Sequence, residues 1–282
     1  MATELAAYVH YTDLLDAEGK SSGDRLATLV LNRPDAANAF SGELLSQMTQ
    51  IFQDLAKDRS LRLLLLQGSG KHFSAGADLH WMKAAAALDF AGNLAEAEKL
   101  THMFEALAHL PFPTLAIAKG AAFGGAVGLI AACDYAWAYD QAKFCLSETK
   151  IGLIPAVILP YLARKIVPGQ LQRHALSARV FQAQEAREMG LIQVVAKESE
   201  LEDLLRAEIE QILLASPEAQ TAYKSLQEQL RLEGYPQNEQ TAHAIASIRA
   251  SAMGQQGLSA FFQKTPAPWV RKLPSQVRLL IP

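Results

Sequence analysis

Glu148 is the carboxylate in this sequence best placed to do chemistry, because of what precedes it. The stretch from Thr114 to Ala138 reads TLAIAKGAAFGGAVGLIAACDYAWA. Thr114–Ala118 is apolar and of strand length. Lys119–Gly125 is a turn holding Gly120, Gly124 and Gly125. Ala126–Cys133 is small and apolar with no polar face, which predicts a buried helix. The first N–H groups of a helix have no internal partner, and the helix dipole favours negative charge there. Glycines let the backbone approach a ligand closely. Read alone, the stretch fits an ordinary glycine turn before a core helix equally well.

A second stretch repeats the order. Leu61–Gln67 is an apolar strand, followed by Gly68-Ser-Gly-Lys-His-Phe-Ser-Ala-Gly-Ala-Asp-Leu79, a glycine turn leading to a helix start. A β-β-α unit thus occurs twice. The backbone N–H groups near Ala77 and Gly125 could then converge on one ligand atom, as an oxyanion hole requires.

The remaining elements must position these two turns. Leu26–Leu31 reads as a buried strand stopped by Asn32-Arg33-Pro34-Asp35, since proline cannot continue a ladder and restricts its predecessor. Residues 1–25 are mixed. Gly42–Arg59 carries Leu44, Leu45, Met48, Ile51, Phe52 and Leu55 at helical spacing, with Ser41 as N-cap. Residues 80–92 are Ala-rich, helical or mobile, and Leu94–Leu110 is a helix ended by Pro111 and Pro113. Past Glu148, helices are expected at Val157–Val167, Gly169–Leu176 and Phe181–Gly190, then a strand at Leu191–Val195 and a helix at Leu201–Ala215. Composition shifts at Ser216-Pro217. From there the pattern is helical at 218–232, 238–253 and about 256–263. Residues 266–269 and 272–282 read as extended.

The bulk properties exclude several classes. The chain has 282 residues, half of them hydrophobic, and a net charge of −3. That charge gives no electrostatic case for nucleic acid or an anionic membrane. No apolar run approaches the ~20 residues needed to span a bilayer, and the first residues carry no secretory pattern. Cys133 and Cys145 lie in apolar context and read as buried free thiols of a reducing, cytoplasm-like compartment. The seven histidines have no metal-ligand spacing, so no metal site is expected.

Taken together, LVLNRPDAANAF, HFSAGADL, AKGAAFGGAVGLIAACDYAWA, FCLSETKIGLIP and ARVFQAQEAREMGLIQVV resemble the crotonase (enoyl-CoA hydratase/isomerase) superfamily. Each motif alone is weak; five in order over Leu26–Val195 are specific. The resemblance implies an α/β fold, a spiral of repeated β-β-α units, as a core domain over 1–215. It also implies a helical C-terminal trimerisation region over 216–282, in a homotrimer or a homohexamer built as a dimer of trimers. The substrate implied is an acyl-CoA thioester, with no separate cofactor, because coenzyme A is part of the substrate. By position, Ala77 and Gly125 supply the oxyanion N–H groups and Glu148 is the acid/base. Asp35, Ala36, Ala37, Ala75, Asp78 and Leu79 fall where the family contacts coenzyme A, as do Phe261 and Lys264 in the C-terminal region. Asp78 is equally suited to capping the helix that follows it.

The sequence departs from the two-glutamate hydratases of the family at Gly128, where those enzymes carry a second acid. Two readings remain: hydration by Glu148 alone, or a double-bond shift with Glu148 shuttling the proton. FSAGADLHWM with SETKIGLIPAVILPY resembles the bacterial branch that hydrates 3-methylglutaconyl-CoA, in leucine breakdown, or isohexenylglutaconyl-CoA, in acyclic terpene breakdown. Such substrates carry a distal carboxylate that needs a cationic or hydrogen-bonding partner. His80, Lys83 and Lys150 are the candidates, with Trp81, Met82 and Gly128 lining the acyl pocket. A solvated surface charge is the competing role for each lysine, and a core position for Trp81. Outside the enzymes, an RNA-binding relative uses a lysine-rich helix. Here that region has Lys99 against Glu96, Glu98 and Glu105, which argues against it. Retention of Glu148 and both glycine turns argues against a catalytically dead scaffold.

Overall fold

The structure is a computed structural model and describes residues 5–233 and 238–281. The first four residues of the leader reading and Pro282 of the extended tail lie outside the described residues. The chain opens on an antiparallel hairpin, β1 (Ala7–Leu15) and β2 (Ser21–Leu31). Helix α1 (Gly42–Leu55) follows, with Ser41 Oγ accepting the Leu44 N–H at 3.2 Å as the N-cap. Its buried face is Leu44, Leu45, Met48, Phe52 and Leu55, each contributing about 1.5–3 kcal/mol by burial. Strand β3 (Leu61–Gly68) is buried at every position, as a parallel strand covered on both faces must be. Helices α2 (Leu79–Ala85) and α3 (Phe90–Ala108) lead to β4 (Thr114–Ala118), β5 (Ala121–Phe123) and α4 (Gly125–Ala132). Then come β6 (Tyr135–Tyr139), β7 (Lys143–Cys145), α5 (Leu159–Leu162), α6 (Pro168–Ser177), β8 (Phe181–Gln182), α7 (Ala183–Glu188) and β9 (Val194–Ala196). Four helices close the chain: α8 (Glu198–Leu214), α9 (Pro217–Glu233), α10 (Asn238–Ala250) and α11 (Ala252–Gln263).

The strands form a six-stranded sheet in the order β1-β2-β3-β4-β6-β9, parallel beyond the opening hairpin, and a second sheet in the order β5-β7-β8. Alternate residues of the large sheet feed two cores. Leu29, Leu64 and Leu66 face α1, α3 and α4. Leu26, Leu63, Leu65, Leu115 and Ile117 face Leu201, Leu205 and Ile209 of α8. Leu273, Leu279 and Leu280 pack into that second core, so the chain returns to the sheet beyond α11.

Several local expectations are corrected. The mixed N-terminal segment holds β1 and the first half of β2, which polar residues on the exposed face disguise. The expected helix at Val157–Val167 is regular only over α5, because Pro155 and Pro160 interrupt the ladder. Phe181–Gly190 is not helical from its start: Phe181 and Gln182 pair with β7, and the helix begins at Ala183. The strand expected at Leu191–Val195 forms only from Val194. Between β4 and α4 the expected turn contains a strand, β5, too short and too small in side chain to show a pattern.

Buried polar groups hold the returning tail. Arg62 is 3% exposed and donates to Trp269 O at 2.8 Å and Ala215 O at 3.0 Å, beside Asp24 at 3.3 Å. Gln67 donates to Leu279 O at 2.7 Å and accepts the Ile281 N–H at 3.0 Å. Glu202 accepts the N–H groups of Leu279 and Leu280 at 2.6 and 3.1 Å. Asp24 keeps Arg271 at 2.7 Å, so Arg62→Ala chiefly strips the Ala215 and Trp269 carbonyls of their donor, and the expected loss is about 1–3 kcal/mol. Urea unfolding should show the lower midpoint. Limited proteolysis of the same variant should cut first beyond residue 264.

Candidate active site

The two glycine turns meet because residues 73–75 lie along 119–123. Phe73 N–H donates to Lys119 O at 2.7 Å, Ser74 N–H to Ala121 O at 3.1 Å, and Phe123 N–H to Ser74 O at 3.1 Å. Ser74, fully buried, donates its hydroxyl to Asn38 O at 2.8 Å and accepts the Gly76 N–H at 3.2 Å. Asn38, also fully buried, accepts the Arg33 N–H at 2.8 Å and donates to Ser69 O and His72 O at 2.9 and 2.8 Å. His72 Nδ1 accepts the Ala121 N–H at 3.0 Å. Each side chain ties one loop to another and leaves no polar atom of that contact unpaired.

Gly76 and Gly124 touch across this seam. A Cβ on Gly76 would lie 2.6 Å from Phe123 O and 3.9 Å from Gly124 Cα, and Gly76 has φ +89°. Only glycine tolerates both conditions. Phe40 brackets the next residue: its N–H donates to Gly76 O at 2.7 Å, and its carbonyl accepts the Asp78 N–H at 2.9 Å. Strand alternation therefore turns the Ala77 N–H to the opposite side. Gly125 opens α4, and as the first helical residue its N–H has no partner within the helix. Among the described residues, neither the Ala77 nor the Gly125 N–H donates to an acceptor in the chain.

Glu148 reaches the same place from β7. Strands β5 and β7 are parallel, with Phe123 paired to Cys145, so the turn after one and the loop after the other leave the sheet at the same end. The Gly124 N–H donates to Cys145 O at 2.8 Å. Glu148 begins a 3-10 turn, Glu148–Ile151, closed by Gly152 at φ +78°. A Cβ on Gly124 would lie 3.3 Å from Glu148 Oε1, which sets the carboxylate directly against the turn. Glu148 Oε2 is buried and accepts no hydrogen bond among the described residues. Burial pushes the Glu148 carboxyl above the usual glutamate value. A carboxylate poised upward, next to two free N–H groups, can take up and return a proton while the N–H groups hold developing negative charge.

Gly128 lies one turn along α4 and is buried. A Cβ there would fall 2.2 Å from Ile158 Cγ2 and 3.0 Å from Phe104 Cζ. The space a side chain at 128 would need is filled by Ile158, 4% exposed, and by Phe104.

The other positions fall into three groups. Asp78 caps α2, accepting the His80 and Trp81 N–H groups, and pairs with Arg33 at 2.9 Å. The Arg33 hydrogen bond holds its carboxyl below the usual range. Trp81 is half-buried against the core, and its Nε1 donates to Glu96 at 3.0 Å, so it anchors α2 on α3. Met82 is half-buried beside it. Asp35, Ala75, Leu79, His80, Lys83 and Lys150 are exposed, with Ala36 and Ala37 half-buried. Ala37 has φ +48°, and its carbonyl accepts the Ala75 N–H at 2.8 Å, which ties those two positions together. Phe261, 77% exposed, lies in the last turn of α11 and Lys264 is its C-cap; among the described residues neither of them hydrogen-bonds or ion-pairs with a side chain of the Glu148 site. Sequence reasoning missed Asn38, Ser74 and Ile158. Asn38 gave a signal, an asparagine beside a turn, where its φ of +54° is tolerated.

The chain is similar to known proteins over most of its length. Residues 22–272 match the family described as enoyl-CoA hydratase/isomerase. A crystal structure of an enoyl-CoA hydratase from Shewanella pealeana is 40% identical, with a TM-score of 0.83 over 92% of this chain and 96% of that one. The crotonyl-CoA hydratase of Syntrophomonas wolfei is 30% identical over 262 residues, 88% of this chain and 96% of the relative. The enoyl-CoA isomerase/hydratase fer4 of Mycosarcoma maydis is 34% identical over 209 residues, 70% of this chain and 74% of the relative.

The packing at Gly128 makes a testable cycle. Gly128→Ala alone forces Ile158 aside and should cost about 1–3 kcal/mol. Ile158→Ala alone leaves a cavity and should cost about 2–5 kcal/mol. Combined, the two should cost clearly less than their sum, read from denaturant midpoints. An additive result would mean that the two side chains do not share one space.

Proposed function

The chain belongs to the enoyl-CoA hydratase/isomerase family, and we propose that within it this protein hydrates the 2,3 double bond of an acyl-CoA thioester with Glu148 as its single acid/base. The observation that carries the reading is the buried, unpartnered Glu148 Oε2 beside the Gly124–Gly125 turn. The carboxylate takes a proton from water as the hydroxyl oxygen bonds to Cβ. Electrons of the double bond move to the thioester oxygen, giving an enolate. The Ala77 and Gly125 N–H groups stabilise that oxygen, and a donor of this kind contributes about 3 kcal/mol. The Glu148 carboxylic acid then protonates Cα, which restores the carboxylate and completes addition of one water.

The substrate we infer is a branched glutaconyl-CoA, 3-methylglutaconyl-CoA or isohexenylglutaconyl-CoA. This rests on the sequence likeness of the two motifs and on cations near the rim. His80 and Lys83 stand on α2 just past Ala77, and Lys150 lies two residues past Glu148 on the same turn. Coenzyme A runs past Asp35, Ala36, Ala37, Ala75, Asp78 and Leu79. Phe261 and Lys264 reach it from a neighbouring copy, in a trimer or hexamer joined through α9–α11, where Phe261 and Phe262 are exposed. The two buried free cysteines support a reducing, cytoplasm-like compartment. A second reading, a double-bond shift, is favoured by the apolar filling at Gly128, which leaves Glu148 without a partner carboxylate to hold water.

Mixing the protein with 3-methylglutaconyl-CoA should give a product heavier by one water. Glu148→Gln should lower kcat about 10²–10⁴-fold. A product of unchanged mass with a moved double bond would establish the isomerase reading instead. Lys150→Met should raise KM for the glutaconyl ester and leave crotonyl-CoA unaffected.

The raised Glu148 carboxyl fixes two pH effects. Activity needs the carboxylate, so kcat/KM should rise with pH through a value above the ordinary 4.5. Ionising the buried group costs stability. That stability is intact below the ordinary value and is lost as pH rises through the raised one. Glu148→Gln should therefore melt higher than wild type at neutral pH, with the difference vanishing in acid.

A further inference from the structure

Helix α4 is buried from Ala126 to Ala132, and only its first residue, Gly125, is half-buried. Its residues are Gly, Ala, Val, Leu and Ile, so none of its own side chains can fix it by a hydrogen bond. Its N-cap, Gly124, offers no side-chain cap either. Packing against Phe40, Phe104 and Ile158 seats the helix, and any polar anchor must come from outside it. One side chain from elsewhere reaches the far end. Lys165, in the segment between α5 and α6, donates from Nζ to Cys133 O and, at 3.2 Å, to Asp134 O. Cys133 is the extended C-cap of α4 and Asp134 begins the connection to β6, so the lysine holds the chain where it leaves the helix. Among the described residues no other side chain donates to the carbonyls at that end.

The surroundings fix Lys165 in turn. A Cβ on Gly190 would lie 2.4 Å from Lys165 O, so the lysine backbone is packed against the α7–β9 connection. The adjacent Asp134 carboxylate is bound to β4 instead: it accepts the Thr114 N–H at 2.9 Å and the Thr114 hydroxyl at 3.0 Å. Asp134 also takes an ion pair at 2.6 Å from Lys224 of α9. The unit that runs from β4 through the glycine turn to α4 thus starts and ends at one polar cluster, and Lys165 is the member that holds the helix. A cation placed just past a helix C-terminus also complements the dipole whose positive end is at Gly125.

We propose that Lys165 is a positioning residue for the oxyanion site: by gripping the Cys133 and Asp134 carbonyls just past the C-terminus of α4 it sets where the Gly125 N–H stands at the other end. The role rests on the reading of Gly125 as an oxyanion donor. It assigns Lys165 no contact with substrate.

The test compares Lys165→Met, Lys165→Gln and, as a control in the same cluster, Lys224→Met. Each is measured for kcat and KM on crotonyl-CoA, for melting temperature, and for the infrared carbonyl band of bound crotonyl-CoA. Polarisation by the N–H groups shifts that band down in wild type. Lys165→Met should lose about tenfold in kcat with KM little changed, and the band should move back toward its position in water. Lys165→Gln, which keeps one donor but no charge, should fall between. Lys224→Met should melt lower but keep kcat and the band. Wild-type kcat and band position in Lys165→Met would overturn the proposal, as would equal losses in Lys224→Met. Failure of both Lys165 variants to fold while Lys224→Met folds would also overturn it, making Lys165 a determinant of the fold. A wild type that binds crotonyl-CoA with a shifted band but neither hydrates nor isomerises an enoyl-CoA would sink the functional reading alone.

Discussion

Everything at the site depends on the seam where residues 73–75 lie against 119–123. It is short, three backbone hydrogen bonds reinforced by the Ser74 hydroxyl and by Asn38. Neither loop would hold its shape alone, since a glycine-rich turn loses more entropy on ordering than other sequences do. Joined, each serves as the other's wall. Gly76 is then pressed so close to Phe123 and Gly124 that a side chain on it has nowhere to go. Two N–H groups separated by 48 positions in sequence (from 77 to 125) become neighbours as a consequence of main-chain pairing.

The carboxylate that completes the site is held under opposite conditions. Its loop is fixed by backbone bonds, including the Leu153 N–H to Glu148 O at 3.0 Å, and by Thr149 Oγ1 donating to Ala175 O at 2.8 Å. The carboxylate tip, by contrast, is left without a partner at Oε2. A fold selected for stability alone would pair or remove that group, because a buried carboxylate oxygen without a hydrogen bond costs free energy. Across α4, by contrast, the space beside Gly128 is filled by the apolar side chains of Ile158 and Phe104.

Much of this was legible in the sequence, for identifiable reasons. Runs such as Leu61–Gln67 and Ala126–Cys133 admit few structures because their side chains leave no exposed face. The caps at Ser41 and Asp78 are local chemistry, so they could be placed from neighbours alone. What could not be read depends on partners far along the chain. Strands β5 and β7 are three residues each and carry no periodicity; only their pairing makes them strands. Ser74 and Asn38 look like ordinary loop polar residues until the loops meet. Ile158 sits in an apolar run where nothing local sets it apart, and its opposition to Gly128 exists only once α4 and the α5 segment are packed.

The tail that Gln67 binds has a bearing on how the chain becomes folded. The Gln67–Leu279 hydrogen bond joins residues 212 apart in sequence, and Leu273, Leu279 and Leu280 cover apolar side chains of strands made far earlier. During synthesis, at roughly 5–20 residues per second, Leu63 and Leu65 wait on the order of ten seconds or more before that cover exists. Long-range closure of this kind slows folding, because loop entropy is lost before the contact rewards it. For that interval one face of the growing sheet keeps its apolar side chains exposed, and unfinished chains are at their most prone to associate with one another.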